Sequence, residues 1–265
     1  MSRFDAAAPT YDTYRALPDD VVDAVRAAVL DALGARGARG RPRLLDLGAG
    51  SGRVGRSFVA AGDDYAGVDL SLGMLRQFSR RTDTGGHRPR LAQADGERLP
   101  FPDAAFDAVL LVQVFGGLED WRRFLGEARR VLRPTGTLIL GRGVLPDDGV
   151  DARMKERLDA ILVEMDVDQG RKNTRDDAQR WLGSIAIGGA PLVAAMWQGE
   201  RTPRRFIERH RTGARFSQLP EPVKDESMRR LAAWAVSEFG SLDAGSTERH
   251  TFELRIFTFT TPRGK

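Results

Sequence analysis

A chain of 265 residues, 41% hydrophobic and 29% charged, has the length and composition of a globular protein with a full core, as one large domain or a domain with insertions. It has no cysteine, which excludes disulfides, thiolate metal sites and a cysteine nucleophile. The net charge of +4 is carried almost wholly by arginine, and runs such as RRFLGEARR alternate the two signs as a solvated helix face does, so no nucleic-acid surface is expected.

No apolar run approaches the length that spans a bilayer, and MSRFDAAAPTYD lacks the basic-apolar-small pattern of a signal peptide. A cytoplasmic location without a membrane partner is the expectation. Monomer and homodimer both stay open.

In chain order, the first predicted helix is Pro18 to Leu33, with Asp19 and Asp20 in its first turn, Val21, Val22, Val25, Val29 and Leu33 on one face, and Gly34 to cap it. The Gly/Arg-rich linker GARGARGRP follows and reads as a loop. From Arg43 strands and helices alternate. RLLDLG is a strand, Gly52 to Ala61 a helix and DYAGVDL a strand, and Ser71 N-caps the helix SLGMLRQFSRR. RPRLAQAD is the third strand and AFDAVLLVQVF the fourth, apolar enough to be central in a parallel sheet. DWRRFLGEARRVL is a helix stopped by Arg133-Pro134-Thr135-Gly136, and GTLILGR is the fifth strand. This rhythm predicts a doubly wound α/β sheet.

Beyond Arg142 the rhythm changes. Asp151 to Val167 and Asp176 to Ile187 read as helices, and PLVAAMWQ as a sixth strand. TPRRFIERHRTGARF and VKDESMRRLAAWAVSEFG are helical, and TERHTFELRIFTFTT is a long alternating strand.

The segment LLDLGAGSG, Leu44 to Gly52, places glycines at every second position after a strand. On its own it fits a tight turn with no ligand as well as a ligand cradle. Asp69 ends the second strand, where an acidic side chain accepts both hydroxyls of a ribose, and Asp95 ends the third, where a carboxylate or its backbone meets an adenine edge. All lie at the carboxyl ends of parallel strands, so an adenosine derivative is expected. A dinucleotide needs G-x-G-x-x-G and a helix N-terminus facing its pyrophosphate. Here Gly48, Gly50 and Gly52 give G-x-G-x-G, and Arg53 stands where the third dinucleotide glycine belongs. S-adenosylmethionine has no phosphate and is favoured over a dinucleotide, with Asp46 and Gly48 to Gly52 beside its amino-acid moiety.

With these pieces in place, LLDLGAGSGRVG, GVDLSLGML, QADGERLPFPDAAFDAVLLVQV and EARRVLRPTGTLIL resemble the core of the class I S-adenosylmethionine-dependent methyltransferases, in the type 11-like branch that acts on small molecules. The resemblance implies a Rossmann-like, doubly wound seven-stranded sheet with an antiparallel last strand, plus an inserted helical lid. It implies that Asp46 with Gly48, Ala49 and Gly50 holds the methionine end, Asp69 the ribose, Leu70 and Met74 an adenine face, and Asp95 and Gly96 the adenine amino edge. Gln113 would lie near the sulfonium. TYDTYRALP resembles the leading helix of this branch, which makes Tyr11, Tyr14 and Arg15 candidates for closing over the cofactor, Arg15 as a fork for the methionine carboxylate.

The organisation that follows is an N-terminal helical segment over the cofactor (1–40), a cofactor-binding core (41–145), helical lid insertions (146–175 and 200–245), and two stretches that complete the sheet (176–199 and 246–265). Many relatives carry a histidine pair after the fourth strand; here Val114-Phe115-Gly116-Gly117 stands there, so no base is presented and the catalytic group is unknown. His210 is a candidate base only if its helix folds over the crevice. No Asp/Asn-Pro-Pro-aromatic motif of amino-directed nucleic-acid methyltransferases follows the fourth strand, and no acidic or histidine cluster matches a metal-dependent site. Trp181, Trp197, Phe206, Phe216 and Trp234 are expected to line a partly apolar acceptor pocket. The expected function is methyl transfer to O, N or C of a small molecule. The alternative is a non-catalytic S-adenosylmethionine-binding sensor or partner subunit.

Overall fold

The computed structural model describes residues 4–5, 8–34, 40–82, 86–118, 120–167, 174–211, 213 and 216–259. Most of the Gly/Arg linker, 35–39, lies outside the described residues. A short 3-10 helix at Tyr11–Tyr14 precedes α1 (Asp19–Gly34). Then come β1 (Leu44–Leu47), α2 (Gly55–Ala60), β2 (Tyr65–Asp69), α3 (Leu72–Thr82), β3 (Arg90–Gln93), β4 (Phe106–Val112), α4 (Trp121–Val131) and β5 (Leu132–Val144). The second half is α5 (Val150–Glu164), α6 (Thr174–Ile185), β6 (Ile187–Arg201), α7 (Pro203–Arg211), α8 (Glu221–Phe239) and β7 (Ser246–Thr258).

One seven-stranded sheet runs in the order β3-β2-β1-β4-β5-β7-β6. β1 pairs in parallel with β2 and β4, β2 with β3, and β4 with β5, whereas β7 is antiparallel to both β5 and β6. The order in which the parallel strands are laid down reverses at β1, between β2 and β4, and a crevice opens there at the strands' carboxyl ends.

Helices cover both faces. α1 buries its valine stripe together with Phe58, Phe78, Ile139 and Phe252 on one face. Phe124, Leu125, Ala128, Ala178 and Leu182 cover the other. Each large apolar side chain fully buried in this way contributes roughly 1.5–3 kcal/mol relative to exposure. α5, α7 and α8 form a separate layer with its own core of Met154, Leu158, Ile161, Phe206, Phe216 and Leu231. Buried charge ties that layer to the sheet edge. Asp151 accepts from Arg209 at 2.8 Å and lies 3.5 Å from Arg201 of β6, while Glu248 of β7 accepts the Val150 N–H at 2.7 Å.

Several boundaries differ from the sequence reading. The helix expected from Gly52 begins only at Gly55, because Gly52 has φ +76° and belongs to the turn. The third strand ends at Gln93, leaving Asp95 in the following loop. β5 starts directly after α4, and residues 133–136 bulge between the pairs Phe106↔Leu132 and Ala108↔Thr137, so Pro134 sits where no ladder donor is needed. The sixth strand is longer than PLVAAMWQ and takes in Ile187, which was expected to be helical. Ser71 does cap α3, accepting the Met74 N–H at 3.2 Å.

Candidate active site

A cavity of about 670 Å³ opens over the carboxyl ends of β1, β2 and β4. Tyr11, Arg15, Asp46, Gly48, Ala49 and Gly50 all line it. So do Asp69, Leu70, Met74, Asp95, Gly96 and Gln113, which brings these twelve expected cofactor-site residues to one place, whereas the candidate Tyr14 and the turn residue Gly52 do not line it.

The glycine turn works through its backbone. Gly48, Gly50 and Gly52 all have positive φ, +86°, +56° and +76°, a region that costs a side-chain-bearing residue about 1–2 kcal/mol. A Cβ on Gly52 would collide with the Phe78 ring, so the turn can sit flat on α3 only with glycine there. At Gly50 the nearest atom to such a Cβ is the Gly48 carbonyl oxygen at 4.0 Å, so Gly50 borders open space. Gly96 has a packing role as well, since its Cα lies against the ring of Phe124.

Asp69 accepts the Gly50 N–H on Oδ2 at 2.9 Å and the Ser71 N–H on Oδ1 at 2.8 Å. Each oxygen keeps a lone pair for a further donor. Burial raises the Asp69 pKa, and the backbone N–H bonds partly offset this. Asp46 is 2% exposed and accepts the Tyr65 hydroxyl on Oδ2 at 2.7 Å, while its Oδ1 is buried with no partner. Burial pushes its pKa up to about 7, helped by the nearby charge of Asp69. An unpaired buried carboxylate oxygen calls for a donor such as an ammonium.

The N-terminal segment is latched down by its own acids. Asp5 accepts from the Ser71 hydroxyl at 2.6 Å and the Gly73 N–H at 3.0 Å, and Asp12 from the Ser51 hydroxyl at 2.8 Å and Arg81 at 2.7 Å. Tyr11 and Arg15 thereby reach the cavity wall, with the guanidinium 4.4 Å above the Tyr11 ring and donating to the Arg209 carbonyl oxygen at 2.5 Å. Tyr14 turns away and bonds Glu208 of α7, so of the two tyrosines only Tyr11 borders the cavity.

Two features were missed. Arg53, noted in the sequence only as a departure from the dinucleotide pattern, lines the cavity and donates to the Gln113 side-chain oxygen at 2.8 Å, with its Nε buried and unpartnered. Gln113 itself has φ +55°, a strained position for a residue with a side chain. The signal available in the sequence was the Arg just after the last turn glycine.

Two other expectations are corrected. None of Trp181, Trp197, Phe206, Phe216 and Trp234 lines the cavity. Trp181 packs edge-on to Trp121, Trp197 to His250 and Trp234 to Phe239, while Phe206 and Phe216 are core of the helical layer. That layer contributes Gly213 and Gln218 to the cavity instead. His210 stacks on Phe206 with ring centroids 3.9 Å apart, outside the cavity lining. Burial, reinforced by Arg209, Arg15 and Lys155, lowers its pKa to about 3, so it stays neutral and is a poor base at neutral pH.

The sheet order, the antiparallel β7 and the glycine turn beside strand-end carboxylates define the fold of the class I S-adenosylmethionine-dependent methyltransferases. Residues 45–140 match the family model described as a methyltransferase domain. Among curated relatives, the demethylmenaquinone methyltransferase of Thermus thermophilus is 38% identical over 100 residues, covering 37% of this chain and 46% of that protein. That of Beutenbergia cavernae is 36% identical over 146 residues, covering 54% of this chain and 57% of that protein. The chain thus spans about half the length of these relatives. Among solved structures, the Bacillus subtilis YcgJ protein superposes with a TM-score of 0.56 at 19% identity, covering 89% of this chain and 100% of that one. Haemonchus contortus phosphoethanolamine N-methyltransferase 2 gives 0.52 at 17% identity, covering 97% and 58%. Among the described residues no helix is long and apolar enough to cross a membrane.

Proposed function

We propose that this chain is an S-adenosylmethionine-dependent methyltransferase acting on a small-molecule acceptor. The observation that carries the reading is the convergence of Asp46 and Asp69 at strand ends, Asp95 in the loop after β3 and a bare glycine turn on one cavity. Asp46, Asp69 and Asp95 would repel a pyrophosphate and suit a ligand that presents an ammonium and ribose hydroxyls. The residues present therefore fit the donor.

S-adenosylmethionine supplies a methyl group on a cationic sulfur, open to in-line displacement by a nucleophile. The chain's part is to bind, orient and exclude water. Asp46 Oδ1 takes the amino group, and Arg15 the carboxylate as a charge-assisted pair. Asp69 takes the ribose hydroxyls with its remaining lone pairs. Leu70, 56% exposed at the mouth, and the buried Met74 cover the adenine, and the Asp95–Gly96 segment meets its amino edge. Arg53 fixes the amide of Gln113 beside the reacting end. No histidine lines the cavity among the described residues, so the acceptor brings a lone pair or an acidic proton that needs little help.

The test is calorimetry with S-adenosylmethionine, S-adenosylhomocysteine and NAD, followed by an acceptor panel that includes a demethylmenaquinone analogue, phenols, amines and carboxylates. Binding of the first two ligands and release of S-adenosylhomocysteine with at least one acceptor is expected. Binding of NAD alone would overturn the reading. Donor binding with no turnover across the panel would favour the sensor alternative.

A further inference from the structure

Behind Gln113, at the carboxyl ends of β4 and β5, lies a second, small cavity of about 10 Å³, room for roughly one water-sized group. Its wall includes Gln113, Arg142, Arg175, Glu253 and Arg255. Gln113 also lines the large cavity, so the two spaces share that residue.

Three guanidiniums meet one carboxylate here. Arg142 and Glu253 face each other across the β5–β7 ladder, and the Arg142 Nε and guanidinium amine donate to the same Glu253 oxygen at 3.2 and 2.9 Å. That pair is self-contained. Arg255, two residues further along β7 on the same face, spends one amine on the Gly189 carbonyl oxygen at 2.6 Å, and its Nε is buried with no partner. Arg175, in the first turn of α6, forms no ion pair or hydrogen bond with any described residue, although half-buried. Burial lowers its pKa first and Arg142 lowers it further, while Asp176 partly offsets both. A half-buried guanidinium that makes no hydrogen bond, beside another whose Nε is buried and unpartnered, leaves donors that an oxyanion would complete.

We propose that Arg175 and Arg255, beside the Arg142–Glu253 pair, form a subsite for the carboxylate or phosphate of an acidic methyl acceptor, one oxygen of which enters the small cavity while the rest of the molecule lies across Gln113 toward the donor. The assignment rests on the methyltransferase reading and narrows its acceptor to an anion. Arg175 and Arg255 give fixed forks of donors suited to an oxyanion. A neutral acceptor would leave these donors unsatisfied.

The test is calorimetric titration of the protein, loaded with S-adenosylhomocysteine, with benzoate, phenyl phosphate, neutral benzamide and chloride in dilute zwitterionic buffer. Saturable binding of benzoate or phenyl phosphate, with none of benzamide, is expected. Arg175→Gln and Arg255→Gln should each weaken it roughly tenfold or more, the loss of one charge-assisted contact. Arg175→Lys, which keeps the charge and the fold, should retain part of the affinity. Binding of chloride without either organic anion would make this a free-ion site and overturn the acceptor assignment. So would no saturable binding, or equal binding to the variants. S-adenosylhomocysteine affinity is read in the same instrument. Its absence would fell the methyltransferase reading, whereas its presence without anion binding would fell only this proposal.

Discussion

Replacing Asp69 with asparagine separates its charge from its shape. In the wild type each carboxylate oxygen accepts one backbone N–H, from Gly50 at 2.9 Å and Ser71 at 2.8 Å, and keeps one lone pair for a ribose hydroxyl. Asparagine can satisfy only one of those N–H groups, because its amide nitrogen would point a donor at the other. One hydroxyl then loses its acceptor, and the remaining bond loses its charge. Hydrogen bonds to charged groups contribute about 1.5–3 kcal/mol each, so donor affinity should fall by roughly 10- to 150-fold. The assay is calorimetry with S-adenosylhomocysteine on protein whose circular dichroism and melting transition show it folded. The orphaned backbone N–H predicts a parallel loss of about 1–3 kcal/mol in stability. Unchanged donor affinity in the folded variant would mean that the ribose is held elsewhere, and the reasoning about strand-end carboxylates would fail.

Arg15→Met should weaken S-adenosylhomocysteine binding roughly tenfold by calorimetry, through loss of the carboxylate partner. Gly96→Ala should cost about 1–3 kcal/mol of stability in urea titrations, since its new methyl meets the Phe124 ring. Gly50→Ala, with open space around it but φ +56°, should cost only about 1–2 kcal/mol in stability and show a larger loss of donor affinity. Stability against pH should carry two opposed slopes. His210 has a native pKa near 3 against an ordinary 6.5, so the unfolded chain binds the extra proton and stability rises with pH across that window. Asp46 has a native pKa near 7 against 3.8, so the native state holds the extra proton and stability falls with pH between those values. Relative to wild type, His210→Phe should tilt the profile downward with rising pH between about 4 and 6.5, and Asp46→Asn upward, each by up to ~1.4 kcal/mol per pH unit. Urea midpoints across that range check it, and parallel profiles for all three proteins would refute both assignments.

The sequence by itself determined the elements and turns around the large cavity. Periodicity, caps and turn glycines are local quantities, so α1, the cap at Ser71 and the strand-end positions of Asp46 and Asp69 were legible from a few neighbouring residues each. The G-x-G-x-G spacing separated two cofactors for the same reason, because a backbone conformation is written in the residues that adopt it. Which side chains line the cavities beyond that turn was decided by tertiary structure. The five aromatic residues expected to line a pocket are held in the core or at its edge, because an aromatic residue on a helix or strand looks the same in sequence whether it faces a ligand or a neighbouring element. Arg53 became a wall of the site only when Gly52 turned the chain toward Gln113, some 60 residues away. Arg142, Arg175 and Arg255 come from two strands and a helix that meet only when β7 inserts antiparallel between β5 and β6. Their shared field belongs to distances across the sheet, and a linear sequence carries no record of those.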